Sequence, residues 1–431
     1  MKVLVVGSGG REHALAWKLK QSADVDEVIV APGNAGTQQE PGVRNVDIAA
    51  TDTAGLITLC QRENIEFTVV GPEVPLVAGI VEAFVAVNLA CFGPTANAAR
   101  LEGSKAFSKD FMQRYAIPTA AHETFSDAAA AKVYVQSQGA PIVIKADGLA
   151  AGKGVVVAQT EDEAAKAIDD MLSGNGFGVA GHRVVVEEFL PGEEASFICL
   201  CDGTNAIPFA SSQDHKARDD GDRGPNTGGM GAYSPAPVVT QQIHDRAMEE
   251  VILPTLKGMQ AEGSPYRGFL YAGLMVSPDG EIKVVEFNCR FGDPEAQPIM
   301  MRLRSDLLPA LQQAAAGALQ TDSLAFDPRT ALGVVMAAGG YPSTYETGDP
   351  ITGLDKNLED TKVFHAGTRK ENDAVITAGG RVLCVVGLGD TAAMAQFRAY
   401  ERIESIGWRG RYFRKDIGYR AVTRENEVSH G

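Results

Sequence analysis

The first hundred residues alternate between apolar strands and helices, with a glycine-containing break after most strands. We expect strands near residues 2–6, 28–31, 67–70 and 89–92, and helices near residues 11–20 and 51–63, the second capped by Thr51. Near-continuous apolar strands with helical crossovers are typical of a parallel sheet covered on both faces. The breaks fall at the carboxyl ends of strands, where open α/β sheets bind ligands. The sequence therefore predicts an α/β domain at the N-terminus.

The turn after the first strand reads GSGG at residues 7–10 and is suggestive of a dinucleotide-binding fingerprint. The third glycine of that fingerprint is replaced by Glu12, and the second strand ends in Ala31-Pro32, where an acidic ribose ligand is expected. A nicotinamide-dependent oxidoreductase is therefore a weak alternative. Gly9, Gly10 and the helix that follows can instead receive an anion, such as a substrate phosphate. On this pattern alone, a tight turn without a ligand is about equally supported.

Residues 142–157 predict a strand, a glycine-rich turn and a second strand. Gly148, Gly152 and Gly154 separate the strands, and Lys145 and Lys153 are the cations of the stretch. Bare backbone N–H groups and two ammonium groups suit a polyphosphate, although a basic hairpin with a flexible tip would look the same. A P-loop would require Gly-Lys-Ser/Thr at the start of a helix. Here the glycines lead into a strand, so the pattern excludes a P-loop.

The middle of the chain predicts further helices and a long loop. Helices are expected from about residue 102 to 115, over residues 124–138 with Ser126 as the cap, and from a capping box at residues 160–163 to about residue 172. Residues 195–201 and 206–210 predict a hairpin, and residues 241–262 predict a helix. Residues 211–235 form a long segment that is rich in glycine and polar side chains. Such a segment predicts an irregular substrate-binding lid.

A candidate metal pair lies on the strand predicted near residues 282–288. Glu286 and Asn288 are two residues apart and therefore share a face. Two oxygen ligands on one rigid face can hold Mg²⁺ or Mn²⁺. A bare pair of this kind is more often a polar sheet face, but Arg290, Asp293 and Glu295 follow at once and favour a site. From about residue 330 the chain is strand-rich and glycine-rich, without a catalytic cluster of its own, and its one notable histidine, at position 365, is interpreted as structural.

Composition limits the possible partners and the compartment. The net charge of -16 argues against nonspecific binding to nucleic acid or to an anionic membrane surface. No apolar run is long enough to span a membrane, and the first residues lack the features of a secretory signal, so we predict a cytoplasmic protein. The six cysteines show neither a CxxC pair nor a Cys/His cluster. We interpret them as reduced and structural, without a zinc site.

In combination, these motifs make the chain similar to the ATP-grasp ligases and, among them, to the phosphoribosylamine–glycine ligases, also called glycinamide ribonucleotide synthetases. Several of the motifs are weak alone, but their combination is highly specific and covers nearly the whole length. They are GSGGREHALAW, APGNAG, GPEVPL, LEGSKAF, IKADGLAAGKGV, EEFLPGEEAS, SQDHK, GPNTGGMGAYSPAP, EFNCRFGDPE and KDIG.

The resemblance implies an architecture and a reaction. The domains would be an N-terminal α/β domain (1–102), an ATP-grasp domain (103–330) with a small lid at about 121–192, and a β-rich C-terminal domain (331–431). The reaction would be ATP-dependent ligation of glycine to 5-phosphoribosylamine through a glycyl phosphate, in de novo purine biosynthesis. ATP would be the co-substrate and Mg²⁺ or Mn²⁺ the metal. The implied partners are these small molecules, not nucleic acid or membrane, and a monomer is favoured. Another ATP-grasp carboxylate–amine ligase and a noncatalytic nucleotide sensor remain as alternatives.

The resemblance also implies roles for individual residues. Lys145 and Arg290 would be catalytic. The ATP contacts would be Lys105, Lys145, Gly152, Lys153, Gly154, Glu187, Glu188, Leu190 and Glu194, with the loop 147–154 closing over the phosphates. Lys145, at a strand end, is the stronger candidate for a fixed phosphate contact than Lys153. The metal ligands would be Glu286 and Asn288. The substrate contacts would be Gly9, Gly10, Arg11, Asp214, His215, Lys216, Asn226, Gly228, Gly229 and Arg290.

Overall fold

Four sheets of four or five strands organise the part of the chain that the structure describes. The computed structural model describes residues 1–149, 154–173, 182–321 and 323–430. The predicted Gly152 and Lys153 lie outside these ranges. The fold is mixed α/β, as the sequence predicted.

The N-terminal sheet is parallel, which confirms the prediction from the apolar strands. Its strands are β1 (Lys2–Gly7), β2 (Glu27–Pro32), β3 (Val43–Asn45), β4 (Phe67–Val70) and β5 (Cys91–Phe92), in the order β3-β2-β1-β4-β5. A 3-10 turn (Thr37–Gln39) lies between β2 and β3, and the helices are α1 (Gly10–Leu19), α2 (Thr53–Glu63), α3 (Glu73–Val77), α4 (Ile80–Ala86) and α5 (Ala96–Gly103). The prediction of a Thr51 cap on α2 is wrong. Asp52 is the cap, and its Oδ1 accepts a hydrogen bond from the Gly55 N–H at 2.9 Å.

The predicted lid region forms a small sheet with its own hydrophobic cluster. After α6 (Lys105–Arg114) come β6 (His122–Phe125), α7 (Ala128–Gln138), β7 (Ile142–Ala146), β8 (Val155–Ala158), α8 (Glu161–Leu172) and β9 (Val184–Glu188). The strands lie in the antiparallel order β6-β9-β7-β8, and both helices pack on them through small and branched side chains. The prediction of a helix from residue 124 with a Ser126 cap is wrong. Residues 124 and 125 belong to β6, and Asp127 caps α7.

The central part contains a second antiparallel sheet and the segment that we predicted to be an irregular lid. The strands are β10 (Glu193–Asp202), β11 (Ala206–Pro208), β12 (Gln213–Asp214), β13 (Ala217–Asp219), β14 (Arg223–Asn226), β15 (Gly231–Ser234), β16 (Arg267–Val276) and β17 (Ile282–Asn288). The helices are α9 (Gln241–Arg246), a π-helical turn (Ala247–Ile252) and α10 (Leu253–Ala261). The central sheet has the order β11-β10-β16-β17. Residues 211–235 are therefore only partly irregular, because four short strands occupy about half of them.

The C-terminal part completes a sheet that begins in the central part. It contains α11 (Ala296–Arg302), α12 (Leu307–Ala316), β18 (Thr330–Ala337), β19 (Thr361–His365), β20 (Thr368–Glu371), β21 (Ala374–Thr377), β22 (Arg381–Gly389), α13 (Ala392–Glu404) and α14 (Tyr419–His430). The five-stranded order is β12-β15-β18-β22-β19, and β13-β14 and β20-β21 are separate hairpins. Because β15 pairs with β18, residues 231–234 are anchored to the C-terminal sheet.

The cysteines and the helices agree with the compositional expectations. All six cysteines are buried and free of disulfide bonds. Within the described ranges, no helix combines the length and the apolar character that crossing a bilayer requires.

Candidate active site

A cavity of about 640 Å³ lies where the lid sheet, the central sheet and segments of the N- and C-terminal parts meet. Most of the predicted site residues line it: Arg11, Lys105, Lys145, Gly154, Glu187, Glu188, Leu190, Glu194, Asp214, Lys216, Asn226, Gly228, Glu286, Asn288 and Arg290. Gly9, Gly10, His215 and Gly229 are described but do not belong to its lining. Among the predicted residues that line the cavity, Arg11 and Arg290 are the farthest apart in sequence. The candidate ligand-binding site is therefore assembled by tertiary contacts.

The phosphate-binding candidates lie at one side of the cavity and are held by the protein itself. Lys145, at the end of β7, contacts Glu187 Oε2 at 2.9 Å and donates to the Val285 carbonyl at 3.0 Å. Lys105 begins α6 and donates to the Gly148 carbonyl at 3.0 Å. Burial lowers the pKa of Lys105. Two ammonium groups therefore project from rigid elements toward one space, as an anionic ligand would require.

Asp147 connects the start of the glycine loop to the N-terminus of α6. Its Oδ1 accepts hydrogen bonds from the Ser104 hydroxyl at 3.0 Å and from the Ala106 N–H at 3.2 Å. Its Oδ2 pairs with Arg183 at 2.5 Å. A carboxylate at a helix N-terminus satisfies free N–H groups and interacts favourably with the helix dipole. The base of the loop is therefore fixed to the helix that carries Lys105.

Glu187 is a buried carboxylate between two lysines. Burial opposes its ionisation, but Lys145 and Lys109 outweigh that effect and lower the pKa of Glu187. Both lysines contact Oε2 at 2.9 Å, whereas Oε1 has no hydrogen-bond partner among the described residues. Lys109 was missed by the sequence analysis. Its spacing of four residues from Lys105 on one helix was the available signal, because side chains at that spacing share a face.

The segment after β9 forms the edge of the same end of the cavity. Phe189 and Leu190 line it, and Phe189 is 38% exposed. Glu188 has a different environment, because its Oε2 pairs with the partly exposed Lys283 at 3.0 Å. The carboxylate of Glu188 is thus engaged with Lys283.

Glu286 and Asn288 lie on β17 and both line the cavity. Burial would raise the pKa of Glu286, but the surrounding cations outweigh it and hold it at about 2; these are Lys216, Lys145, Lys105 and Arg290. The Asn288 Oδ1 accepts a hydrogen bond from Arg290 at 2.6 Å and keeps a second lone pair. An ionised carboxylate and an amide oxygen on one strand are the hard donors that Mg²⁺ and Mn²⁺ prefer, so the pair fits a divalent ion.

Arg290 follows the metal pair and lies among carboxylates. Its Nε is 3.5 Å from Glu73 and its Nη2 is 3.3 Å from Glu102. Burial raises the pKa of Glu102. Neither glutamate was a predicted site residue, although both line the cavity and lie in the motifs GPEVPL and LEGSKAF. Arg290 thus has a fixed orientation set by acidic groups from the N-terminal part of the chain.

The segment that follows β10 and β11 reaches the cavity through Asp214 and Lys216. Lys216 forms ion pairs with Glu194 and, at 3.6 Å, with Glu286. Burial raises the pKa of Asp214, and the neighbouring carboxylates add to this effect. The intervening His215 has the opposite orientation. Its Nε2 accepts a hydrogen bond from the Gly418 N–H at 3.2 Å, and its ring packs near Tyr233.

Gly228 and Gly229 pass close to bulky neighbours, which explains the glycines. A Cβ on Gly228 would lie 3.0 Å from the Arg381 guanidinium carbon, and a Cβ on Gly229, whose φ is +109°, would lie 2.4 Å from Pro294. The Gly228 N–H donates to the Tyr341 hydroxyl at 3.0 Å. Tyr341 and Arg381 come from the C-terminal part and line the cavity, and the sequence carried no local signal for either.

The glycine turn at residues 7–10 holds a carboxylate of the chain itself. Glu12 Oε2 accepts the Gly9 N–H at 2.6 Å, and Glu12 Oε1 pairs with Arg11 Nε at 2.5 Å. Gly10 lies against the Gln297 side chain. The Gly9 N–H is therefore satisfied within the chain, and the contact of Gly9, Gly10 and the helix N-terminus with an external anion stays a prediction. Arg11 still reaches the cavity, and its Nη1 donates to the Phe291 carbonyl at 3.2 Å.

The fold and this cavity define an ATP-grasp enzyme: residues 103–296 match the family model described as Phosphoribosylglycinamide synthetase, ATP-grasp (A) domain. Residues 1–102 match the N domain of the same synthetase, and residues 331–420 match its C domain. The chain belongs to the phosphoribosylglycinamide synthetase family, whose curated members carry the name phosphoribosylamine–glycine ligase.

Full-length relatives support this assignment. The chain is 61% identical over 426 residues to the phosphoribosylamine–glycine ligase of Yersinia pestis, covering 98% of this chain and 100% of the relative. It is 59% identical to that of Vibrio vulnificus (strain CMCP6), covering 99% and 100%. The solved structure of the Thermotoga maritima phosphoribosylamine–glycine ligase is 36% identical with a TM-score of 0.83, covering 97% of this chain and 100% of that one.

Proposed function

We propose that this chain ligates glycine to 5-phosphoribosylamine, with conversion of ATP to ADP and phosphate, and so forms glycinamide ribonucleotide in de novo purine biosynthesis. The observation that carries the proposal is one cavity in which lysines, an oxygen-donor pair and Arg290 of the ATP-grasp region meet Arg11 of the N region and Arg381 of the C region. Other ATP-grasp carboxylate–amine ligases share the chemistry. Full-length identity to enzymes named for glycine and phosphoribosylamine favours these two substrates.

The first step would transfer the γ-phosphoryl group of ATP to the glycine carboxylate. A carboxylate oxygen attacks the γ-phosphorus, the bond to the β-phosphate oxygen breaks, and ADP leaves with its electron pair. Such a transfer depends mostly on positioning and charge neutralisation. Lys105 and Lys145 would hold the phosphates, and Arg290 would orient the glycine carboxylate and neutralise charge. Glu187, Glu188, Leu190 and Glu194 would hold the nucleoside.

Glu286 and Asn288 would hold the divalent ion, Mg²⁺ or Mn²⁺. When bound, the ion neutralises charge on the phosphates during transfer. The low pKa of Glu286, about 2, keeps its carboxylate ionised at neutral pH and therefore ready to bind a cation. Within the described residues no group of three or more His, Cys, Asp and Glu side chains forms a metal cluster, which suits a site completed by substrate phosphates and water.

The second step would form the amide bond. The neutral amine of 5-phosphoribosylamine attacks the acyl carbon of glycyl phosphate, phosphate leaves with its electron pair, and the nitrogen loses a proton. Arg11, Asp214, Lys216, Asn226 and Gly228 would hold this substrate. Because acyl phosphates hydrolyse, a lid must exclude water during this interval. The small sheet above the cavity and the loop at residues 147–154 would supply that cover, and none of the buried cysteines is needed as a nucleophile.

The remaining expectations follow from the same function. We propose that the domain boundaries lie at 102/103 and 330/331, that the protein works in the cytoplasm as a monomer, and that its partners are small molecules, not nucleic acid or membrane. The continuous sheet shared by β15 and β18 supports a close association of the central and C-terminal parts.

A substrate panel tests the proposal. ADP release would be measured with ATP, Mg²⁺, one amino acid and freshly generated 5-phosphoribosylamine, and the ribonucleotide product would be identified by mass. We expect product with glycine, and none when either acceptor is omitted. Turnover with other amino acids but not with glycine would contradict the proposal and favour a different ATP-grasp ligase. ATP binding without ligation of any amino acid would favour the alternative that the protein is a noncatalytic nucleotide sensor.

A further inference from the structure

Lys109 lies deep between three elements that surround the nucleotide end of the cavity. It is on α6, only 2% exposed, and lines the cavity. Its Nζ lies 2.9 Å from Glu187 Oε2 on β9 and donates to the Thr119 hydroxyl at 2.7 Å. Thr119 in turn donates to the Val284 carbonyl on β17 at 2.7 Å. Lys109 therefore connects α6, β9 and β17 through a single ammonium group.

The Glu187 carboxylate holds two cations on one oxygen. Lys109 and Lys145 both lie 2.9 Å from its Oε2, and all three side chains are almost fully buried. Two lysines and one glutamate leave one positive charge in excess. Glu286 on β17 interacts with both lysines and offsets part of this charge, and a phosphate bound nearby would offset it further.

We propose that Lys109 is a positioning residue for nucleotide binding: in its charged form it stays paired with Glu187, which allows Lys145 to leave Glu187 and bind a nucleotide phosphate. The inference rests on the proposed function, since it takes ATP as the ligand of this cavity. Lys145 could not turn toward a phosphate without a second cation on Glu187, because a buried carboxylate would then be left unpaired. Lys109 is held by Thr119 and stays in place.

The charged groups around Lys109 make its role dependent on pH. Glu187 faces it from β9, Lys145 from β7 and Glu286 from β17. Burial lowers the pKa of Lys109 to about 8, with Lys145 acting in the same direction and the two carboxylates opposing it. Above that pH Lys109 loses its charge and can no longer serve as the counterion of Glu187. Nucleotide affinity therefore falls as the pH rises through about 8.

Direct titration with a nonhydrolysable ATP analogue and Mg²⁺ tests the inference on the full chain. We expect Lys109→Met to weaken binding by about tenfold or more, because the binding-competent state then contains an unpaired buried carboxylate. The same change in a Glu187→Gln background should have little effect, since a neutral side chain needs no counterion. Lys132→Met is the matched control, because Lys132 pairs with Asp169 at the lid surface, and its affinity should equal that of the wild type.

A pH series adds a readout that a purely structural lysine would not change. Wild-type affinity should fall between pH 7 and about pH 9.5, and this fall should be absent in Lys109→Met. Three results would each overturn the inference. They are an equal loss of analogue affinity on Lys109→Met in the wild-type and Glu187→Gln backgrounds, an unchanged affinity in Lys109→Met, and a wild-type affinity that does not vary with pH.

A second pair of variants covers the case in which Lys109→Met does not fold. Thr119→Val removes the oxygen that holds Lys109, whereas Thr119→Ser keeps it. We expect weaker analogue binding in the valine variant and near wild-type binding in the serine variant, and equal affinities would overturn the inference. Because these titrations contain neither glycine nor phosphoribosylamine, they separate this inference from the substrate assignment, which only the ligation panel tests.

Discussion

The Nζ of Lys216 lies 3.6 Å from the Oε1 of Glu286, so a cation already accompanies the carboxylate proposed to bind the metal. Lys216 comes from the segment after β12 and Glu286 from β17, 70 positions further along. The same lysine also pairs with Glu194. The proposed metal, nucleoside and substrate contacts are thus coupled through one ammonium group.

Loss of the Glu286 carboxylate should remove metal-dependent activity without unfolding the protein. We expect Glu286→Gln to lower kcat by at least about 100-fold and to raise the Mg²⁺ concentration for half-maximal rate, because an anionic oxygen donor is lost. Glu286→Asp, which keeps a carboxylate, should retain more activity. Steady-state rates against Mg²⁺ and Mn²⁺ provide the measurement, and circular dichroism checks the fold. An unchanged metal dependence in the glutamine variant would exclude Glu286 as a required ligand.

Arg381 should control acceptor binding more than nucleotide binding. Its guanidinium donates to the Gly228 carbonyl and, at 2.7 Å, to the Asp293 carbonyl. It also forms an ion pair with the Asp293 Oδ2 at 3.1 Å. We expect Arg381→Lys to reduce kcat/KM for the acceptor substrates by about 10–100-fold, because an ammonium cannot reproduce the planar fork.

The affinity of Arg381→Lys for the ATP analogue should not change, because Arg381 contacts Gly228 and Asp293, which are not among the proposed nucleotide contacts. Arg369→Lys is a suitable control, since Arg369 forms an exposed ion pair with Glu371 and does not line the cavity. Equal losses for acceptor and nucleotide in Arg381→Lys would instead indicate a general loss of structure.

Gly71→Ala should destabilise the N-terminal sheet through a clash with Glu12. An added Cβ would lie 2.1 Å from the Glu12 Oε1, and the carboxylate is held by Gly9 and Arg11. We expect a loss of about 1–3 kcal/mol in the free energy of unfolding, measured with urea. Gly407→Ala should be nearly neutral, because its nearest neighbour would be 3.4 Å from the new Cβ. Similar unfolding midpoints for the two variants would refute the clash.

His215 should make the protein less stable in acid. Burial lowers its pKa from the ordinary 6.5 to about 4, so the unfolded chain binds a proton more readily than the folded one between these values. The stability from this group is therefore complete above about pH 6.5 and is lost as the pH falls toward 4, by roughly 3 kcal/mol in total.

Urea unfolding at a series of pH values would measure this effect. His215→Gln should flatten the dependence between pH 4 and 6.5. His182→Gln, at an exposed position, should leave it unchanged. A wild-type slope in His215→Gln would assign the acid sensitivity to other groups.

Much of the secondary structure was predictable, because strand and helix preferences act between near neighbours in sequence. The apolar stretch at residues 2–6 forms β1, and residues 282–288 form β17 with the bounds that we expected. The errors occur where the local structure is set by pairing with a strand that is distant in sequence. Residues 124 and 125 are predicted as helical but pair with β9. Residues 231–234, in the segment predicted to be irregular, form β15 and pair with β18.

The residues of the candidate site also fall into those that the sequence pattern identified and those that only the tertiary structure placed there. Glu286 and Asn288 were identifiable because a spacing of two on a strand places both on one face. Glu73 and Arg381 were missed because their positions depend on how α3 and β22 cross the other elements, whereas Lys109 could have been found from its spacing of four residues from Lys105 on α6. His215 lies between two cavity residues in sequence, yet its side chain contacts Gly418 and packs near Tyr233 and is not part of the cavity lining.

The sequence by itself determined the class of fold, the glycine turns, the oxygen-donor pair and the family motifs, because these depend on local backbone preference and residue spacing. Only the tertiary structure decided that Glu12 occupies the first glycine turn and that Glu187 is shared by two lysines. It also decided that the C-terminal sheet supplies Arg381 to the cavity. The physical reason is that a buried charge is tolerated only with a partner, and the partner is set by which distant elements pack together.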